Sequence, residues 1–416
     1  MRVNRSYLIT AASALIVSCI FYIGHFLLGK KSPGNDTGKT TTETTAETAA
    51  QTGKHTDPGR ISESTTVEVN GADTAIEDAV KHERIETEIG GRKQVINLLE
   101  IKLDSGAAAV KPALSFDMIF GFEKLSEIAE RSGAYAAVNG GFFSVYGEPA
   151  GMVMVDGELF TASNGKYPVF VTDGEKAEFK DIKTELKITV NGVPVSVDKI
   201  NIEGAAGLTV MYTPRYGSSN RANSLNKTYI IENGKVIDVV TGEGETSIPK
   251  NGILLTKYFP EEAIPGESNS GSKKWLDLKL GDLIAYDRSF NLGSSVSAYE
   301  CGCMILKDGV DVSGTSDPWI GVLTNWDPRT VIGLKDENTV VLMTVDGRQS
   351  GYSSGLTASE TAKFLKSIGV TDAAMLDGGA STEMFVNGKT VNRPSNNGEG
   401  RKIAGAVVVV EVIDKN

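Results

Sequence analysis

The chain has 416 residues and a formal net charge of −11, with 40% hydrophobic and 23% charged residues. That composition is globular and leaves enough apolar side chain for a sizeable core. No basic stripe or arginine-rich run accompanies it, which argues against a nucleic-acid partner.

Tyr7 to Leu28 is a long apolar run, broken only by small polar residues and His25. It is long enough to cross a hydrocarbon core of roughly 30 Å as a helix. Arg2 and Arg5 precede it and Lys30 and Lys31 follow it, so local charge does not set its orientation. The large polar domain that follows places the N-terminus inside. The expectation is a single-pass protein of the cell membrane, anchored by residues 1–30, with its C-terminal domain extracellular. Two other readings stand beside it. A cleaved signal peptide would need a small-residue site, and Gly29-Lys30 is a poor one. Ile16-Val17-Ser18-Cys19 is similar to a lipobox, but the apolar run continues through Ile20, Phe21 and Tyr22. All three readings export the domain.

Residues 31–74 are rich in Thr, Gly, Ser and Glu and nearly free of large apolar side chains. Such a segment cannot bury enough surface to fold and reads as a disordered linker. The folded domain is expected over 75–416. Ala75 to His82 has helical composition, and Gln94 to Leu103 reads as a core strand. Phe122 to Arg131 is helical in spacing, with Phe122, Leu125, Ile128 and Ala129 on one face and Gly133 as its C-terminal cap. Ala134 to Val138 is a short strand. From Val153 to Val240 short strands alternate with Asp156-Gly157, Asp173-Gly174, Asn191-Gly192 and Asn233-Gly234, the pattern of hairpins. Glu261 to Lys274 reads as a surface loop. Cys301 and Cys303, flanking Gly302, would face the same way in a strand, as two buried thiols or a strained disulfide. Thr339 to Val345 and Ala373 to Leu376 are strands joined by a helix that opens on the capping box Thr357-Ala358-Ser359-Glu360 and closes at Gly369. Ile403 to Val412 is a final strand. These elements predict an α+β domain: a mixed β-sheet core, a hairpin-rich half and few helices.

Three strands end alike, at Asn139-Gly140-Gly141, Asp346-Gly347-Arg348 and Asp377-Gly378-Gly379, the last followed by Ala380, Ser381 and Thr382. Each puts a polar side chain at the strand mouth, followed by residues that let backbone approach a ligand closely. Together they predict one shared pocket. The three histidines, His25, His55 and His82, lie outside these motifs, so carboxylates carry any acid–base chemistry. Asp346 and Asp377 are the catalytic candidates, in the manner of paired acids at an anomeric carbon. Arg329, Arg348, Arg393 and Arg401 accompany them, and guanidinium matches phosphate oxygens in a bidentate fork. Carboxylates with arginines fit a substrate carrying both sugar and phosphate. Each has a plainer reading: Asp346-Gly347 as a turn, Asp377 as a helix cap, Arg401 as a surface cation.

With Ala137–Phe143, Asp327–Gly333, Val345–Gln349, Ser354–Thr357, Leu376–Thr382, Asn392–Ser395 and Arg401, the chain resembles the phosphodiester glycosidase family, whose bacterial members are often labelled exopolysaccharide-related. The motifs fall in the family's order over roughly Gln94 to Val412. The resemblance implies hydrolysis of a sugar-1-phosphodiester, freeing an N-acetylglucosamine-type sugar and leaving a phosphomonoester. It implies a site of Asn139, Arg329, Asp346, Arg348, Asp377, Ser381, Thr382 and Arg401, to which Gly140, Gly141, Gly378, Gly379 and Arg393 add binding positions. The chain departs from the family at Cys301-Gly302-Cys303, where a glycine-rich stretch is usual. It departs again at Gly398-Glu399-Gly400-Arg401, one residue longer than the usual Gly-Glu-Arg. No cofactor is required by this reading. A divalent cation bridging carboxylate and phosphate would be Ca²⁺ or Mg²⁺, since the candidate ligands are all oxygen. The expected partner is a phosphorylated glycan or cell-wall polymer. Two other functions fit the same residues: a non-catalytic glycan-binding or envelope-assembly module, and a phosphodiesterase that cleaves P–O.

Overall fold

The computed structural model describes residues 75–259 and 277–412. The expected anchor (1–30), the linker (31–74) and the Glu261–Lys274 loop lie outside the described residues. Among those described, no helix is long and apolar enough to cross a membrane.

The centre is a pair of antiparallel sheets. One has seven strands in the spatial order Val80–Ile89, Arg92–Lys102, Thr339–Val345, Arg329–Asp336, Asp372–Met375, Met304–Lys307 and Val310–Asp311. The other has five, in the order Lys389–Thr390, Met384–Val386, Ala134–Asn139, Gly405–Glu411 and Ala108–Leu114. Alternation along each strand sends successive side chains to opposite faces. Leu99, Ile101, Ile332, Leu342 and Ala374 of the first sheet therefore share a core with Val110, Ala136, Val138, Val407 and Val409 of the second. The intervening residues Val331, Val341, Met343, Ala373 and Met375 face the helix Ala358–Ser367 through Ala358, Ala362 and Leu365. On the far side Ala113, Ala137, Ala406 and Val408 face the helix Leu125–Arg131 through Leu125, Ile128 and Ala129. The strand Arg329–Asp336 is buried on both faces and reads as a nearly continuous apolar run for that reason.

The hairpin-rich half forms three further sheets around a separate core that includes Ile188, Met211, Ile231, Leu255 and Ile284. Three of its four expected turns have both central residues at positive φ: Asp156-Gly157 (45°, 78°), Asn191-Gly192 (50°, 84°) and Asn233-Gly234 (48°, 72°). That is the geometry whose twist matches the flanking strands. At the fourth, only Gly174 turns left-handed, and Asp173 Oδ1 instead accepts from the Glu175 and Lys176 amides.

The fold is mostly β-sheet with few helices, and four expectations are corrected in detail. The core sheets are antiparallel throughout rather than mixed. The strands joined through the Ala358–Ser367 helix run alongside Arg329–Asp336 on either side of it, so they are never neighbours. The parallel pairing among the described strands is Lys199–Ile200 with Thr209–Tyr212. The helix at Ala75 ends at Ala79, because the alternating stretch from Val80 pairs with Arg92–Lys102 across Gly90-Gly91. The Phe122 helix starts at Leu125, since Glu123 is drawn into a bridge with Ile403. Phe122 packs edge-on to Phe143 instead. Cys301 and Cys303 are free thiols in different cores, Cys301 between the sheets and Cys303 on the helix side. Gly302, whose amide donates to the Met375 carbonyl, is where the chain passes from one sheet to the next, so simple alternation does not apply.

The Ala358–Ser367 helix has its capping box in place: the Thr357 hydroxyl accepts from the Glu360 amide at 3.1 Å, and Glu360 returns to the Thr357 amide. Thr357→Ala should lower the stability of the domain by about 1 kcal/mol. Urea unfolding checks this, and an unchanged midpoint would show that the cap does not hold the helix.

Candidate active site

The three expected strand ends meet at one edge of the sheet pair. Asn139, 1% exposed, ends a strand of the five-stranded sheet. Its Nδ2 donates to the carbonyls of Asp377 (2.6 Å) and Gly140 (3.2 Å), and its Oδ1 accepts from Thr330 Oγ1 (2.6 Å) and the Glu383 amide (3.2 Å). Thr330 and the chain into Asp377 belong to the seven-stranded sheet, so one carboxamide ties the two sheets at the site's floor. The Asp377 amide in turn donates to the Gly140 carbonyl.

Gly140 and Gly141 are packed against a tyrosine. A Cβ on Gly140 would lie 2.4 Å from the Tyr299 hydroxyl, and one on Gly141 would lie 3.0 Å from its ring. That buried hydroxyl accepts from the Gly141 amide at 2.8 Å. Gly378 is pressed on the Pro328 carbonyl, and Gly379, at φ 61°, lies beneath the Arg348 guanidinium.

The two candidate carboxylates differ in kind. Asp346 is 1% exposed, and its oxygens accept from Asn392 Nδ2 (2.9 Å), the Arg393 amide (3.0 Å) and the Tyr352 hydroxyl (3.0 Å). Burial raises its pKa, and Asn392, the Arg393 amide and Tyr352 pull it back. A carboxylate so enclosed organises its neighbours and has little freedom to meet substrate, which departs from the expectation of a second working acid. Asn392 also donates to the Thr382 carbonyl, which links the Asp346 strand end to the Asp377 loop. Asp377 keeps an accessible oxygen edge, its side chain being 21% exposed. Ser381 donates its hydroxyl to Oδ2, and Arg401 Nη2 stands 3.7 Å from the same oxygen. Burial raises the Asp377 pKa; Ser381, the Arg401 charge and the Gly378 amide oppose that.

The arginines divide likewise. Arg329 is 2% exposed and donates to the carbonyls of Leu356 and Asn325, with its pKa lowered by burial. It braces the loop before the strand and adds a fixed positive charge beneath the site. Arg348, at φ 61°, pairs through Nε with Asp327 Oδ1 at 2.8 Å and leaves its outer nitrogens over Gly379. Arg393 is exposed and stands over the Tyr352 ring, while its backbone serves Asp346. Arg401 is 41% exposed, rests on the Phe143 ring, and among the described residues makes no hydrogen bond. Ser381 and Thr382 are both buried, Ser381 serving Asp377 and Thr382 Oγ1 accepting from Thr330 at 3.4 Å. Among the described residues no group of three or more His, Cys, Asp or Glu side chains converges as a metal cage.

Thr330 and Asn392 fall within the motifs Asp327–Gly333 and Asn392–Ser395, though neither is among the expected site residues. Tyr299 and Tyr352 lie outside the motifs, since each reaches the site from a segment whose pattern is unremarkable.

The phosphodiester glycosidase family model matches residues 226–410, and over that span the chain is similar to the family. Asn139-Gly140-Gly141 lies upstream of the matched span and is brought to it by the fold. The uncharacterized SPbeta prophage-derived protein YomE of Bacillus subtilis is 35% identical over 105 residues, 24% of this chain and 15% of that one. The N-acetylglucosamine-1-phosphodiester alpha-N-acetylglucosaminidase of Mus musculus is 26% identical over 169 residues, 40% of this chain and 30% of that one. These matches span well under half of either relative. A crystal structure of a hypothetical protein from Synechocystis shares the fold, with a TM-score of 0.64 and 19% identity over 80% of this chain and 62% of that one.

Removing the Asn139 carboxamide would leave the Asp377 carbonyl and the Glu383 amide without their hydrogen-bond partner. Asn139→Ala should therefore cost at least ~2 kcal/mol of unfolding free energy. Chemical denaturation measures it, and a loss within error of zero would mean the sheets are held together elsewhere.

Proposed function

We propose that this domain hydrolyses a sugar-1-phosphodiester at the glycosidic C–O bond, releasing a free N-acetylglucosamine-type sugar and a phosphomonoester, on a cell-envelope or exopolysaccharide substrate outside the membrane. The observation that carries this reading is the Asp377–Arg401 pair. A carboxylate with an accessible edge faces a guanidinium that has no hydrogen-bond partner among the described residues. Such a cation is free to take two phosphate oxygens. The family match and the mouse relative's name support the same reaction class.

In this mechanism Asp377 acts at the anomeric carbon, as nucleophile or as base toward water, with Ser381 holding its oxygen. Positive charge develops on the sugar and negative charge on the departing phosphate. A phosphomonoester leaves readily, so the main task is to stabilise its growing charge, which Arg401 and Arg348 do from the rim and Arg329 from beneath. Asp346 fixes the backbone of Arg393 and, through Asn392, the Asp377 loop. A bound Ca²⁺ or Mg²⁺ would find oxygen ligands in Asp377 and the substrate phosphate.

The test is release of sugar from UDP-N-acetylglucosamine and from wall-polymer phosphodiesters, run in ¹⁸O-water. Label in the sugar supports C–O cleavage; label confined to phosphate overturns it in favour of a phosphodiesterase. Release by the parent protein and loss of at least about a hundredfold in Asp377→Asn is expected. No release from any substrate would leave a glycan-binding module.

The pH profile follows from the site. Asp377 must be ionised to act, and burial sets its pKa above the ordinary carboxylate range. The rate should rise with pH on a limb displaced upward from that range. Arg401→Gln removes a charge that favours the ionised form, so its limb should move to still higher pH. A limb that stays put or moves down would show that Arg401 does not act on Asp377.

A further inference from the structure

Trp326 is 51% exposed, large and apolar, and directly precedes Asp327, the partner of Arg348. Lone exposed apolar residues are ordinary on protein surfaces. This one is held in place with unusual care. The Arg92 guanidinium covers one face of the indole, 3.7 Å from the ring centroid. Arg92 Nη2 is in turn fixed by Glu360 Oε1 at 2.8 Å, and Glu360 is itself fixed by the capping box of the helix behind it. The Arg92 Nε is buried without a hydrogen-bond partner, an arrangement that costs stability.

The backbone beneath is equally constrained. A Cβ at Gly355 would lie 2.5 Å from the Asp327 carbonyl, and one at Gly347 would lie 2.7 Å from the Pro328 nitrogen. On either side of Trp326, Asn325 accepts from Arg329, and Asp327 holds Arg348. Arg348 reaches over Gly379, in the same loop as Asp377. A continuous line of contacts thus joins the indole to the rim of the site.

We infer that Trp326 is a stacking platform for a further sugar of the substrate, so that the domain acts on a phosphodiester-linked glycan polymer rather than on a single sugar phosphodiester. The inference rests on the reaction proposed above. A pyranose presents one face of C–H groups, which suits a rigid aromatic surface whose ordering entropy has already been lost. Arg92, on the opposite face, holds the ring flat toward solvent. Arg348 lies between platform and reacting carboxylate, where the polymer's intervening phosphate would pass.

The test uses the full chain carrying Asp377→Asn, which binds without turnover, titrated calorimetrically with a single N-acetylglucosamine phosphodiester and with a poly(N-acetylglucosamine 1-phosphate) oligomer of several repeats. The oligomer should bind roughly five- to tenfold more tightly than the single repeat. Adding Trp326→Ala should abolish that gain and leave single-repeat affinity and melting temperature unchanged, and Trp326→Tyr should restore most of it. A gain that survives Trp326→Ala, or no gain in the parent, overturns the platform while the proposed reaction stands. Failure of the parent to bind even the single repeat would overturn both.

Discussion

The site depends on one side chain that does no chemistry. The Asn139 carboxamide satisfies a backbone carbonyl on the Asp377 turn, its own neighbour's carbonyl, a threonine hydroxyl and an amide, all in a region closed to water. A carboxamide offers two donors and an acceptor oxygen with two lone pairs, and here all are used. An aspartate at this position could not donate to the two carbonyls. An aliphatic residue would leave the Asp377 carbonyl and the Glu383 amide without their partner in a low-dielectric setting, where each is costly. Since the groups it joins lie on both central sheets, the same bonds that close the interior fix the spacing of the strand ends.

That closure explains why so much of the apparent active-site signature turns inward. Strand ends rich in Asp, Asn and Gly suggest ligand contact, yet Gly140 and Gly141 are small to admit Tyr299, and Gly378 to admit the Pro328 carbonyl. Asp346 is enclosed by Asn392, Tyr352 and the Arg393 amide. These groups form a polar support for the short accessible edge of Asp377. Preorganisation of this kind reduces the reorganisation needed when charge develops in a reaction.

Much of the architecture could be read from the chain, and the limits were physical. Thr339–Val345, the Thr357 cap and three of the hairpin turns follow from local rules that burial did not override. Sheet direction did not follow, because β-strand patterning records which faces are buried and says nothing of which strand lies alongside. Hence Arg329–Asp336 came between two strands that the sequence places around a helix. At the site, motif positions identified the loops but not the division of labour within them. Asp346 and Asp377 are alike as sequence, each a carboxylate after an apolar strand and before glycine. What separates them is Tyr352 and Asn392 on one side and an open edge beside Arg401 on the other, and the Asn392 and Arg401 contacts are long-range.

Charge makes the same distinction at larger scale. A chain with a net charge of −11 repels an anionic substrate on average, so any phosphate must be drawn by a local field. Arg348 and Arg401 stand on the rim, half exposed, while Arg329 is buried and gives its Nε and Nη2 to backbone carbonyls. The buried cation is poorly screened, and its guanidinium is turned to backbone carbonyls. The rim cations are screened and weak alone, yet their donors remain available. Attraction by the buried charge and hydrogen bonding at the rim together favour an anion at one point of an otherwise acidic surface. The Arg401 charge also keeps Asp377 more readily ionised than its burial alone would allow, which a nucleophile or base requires.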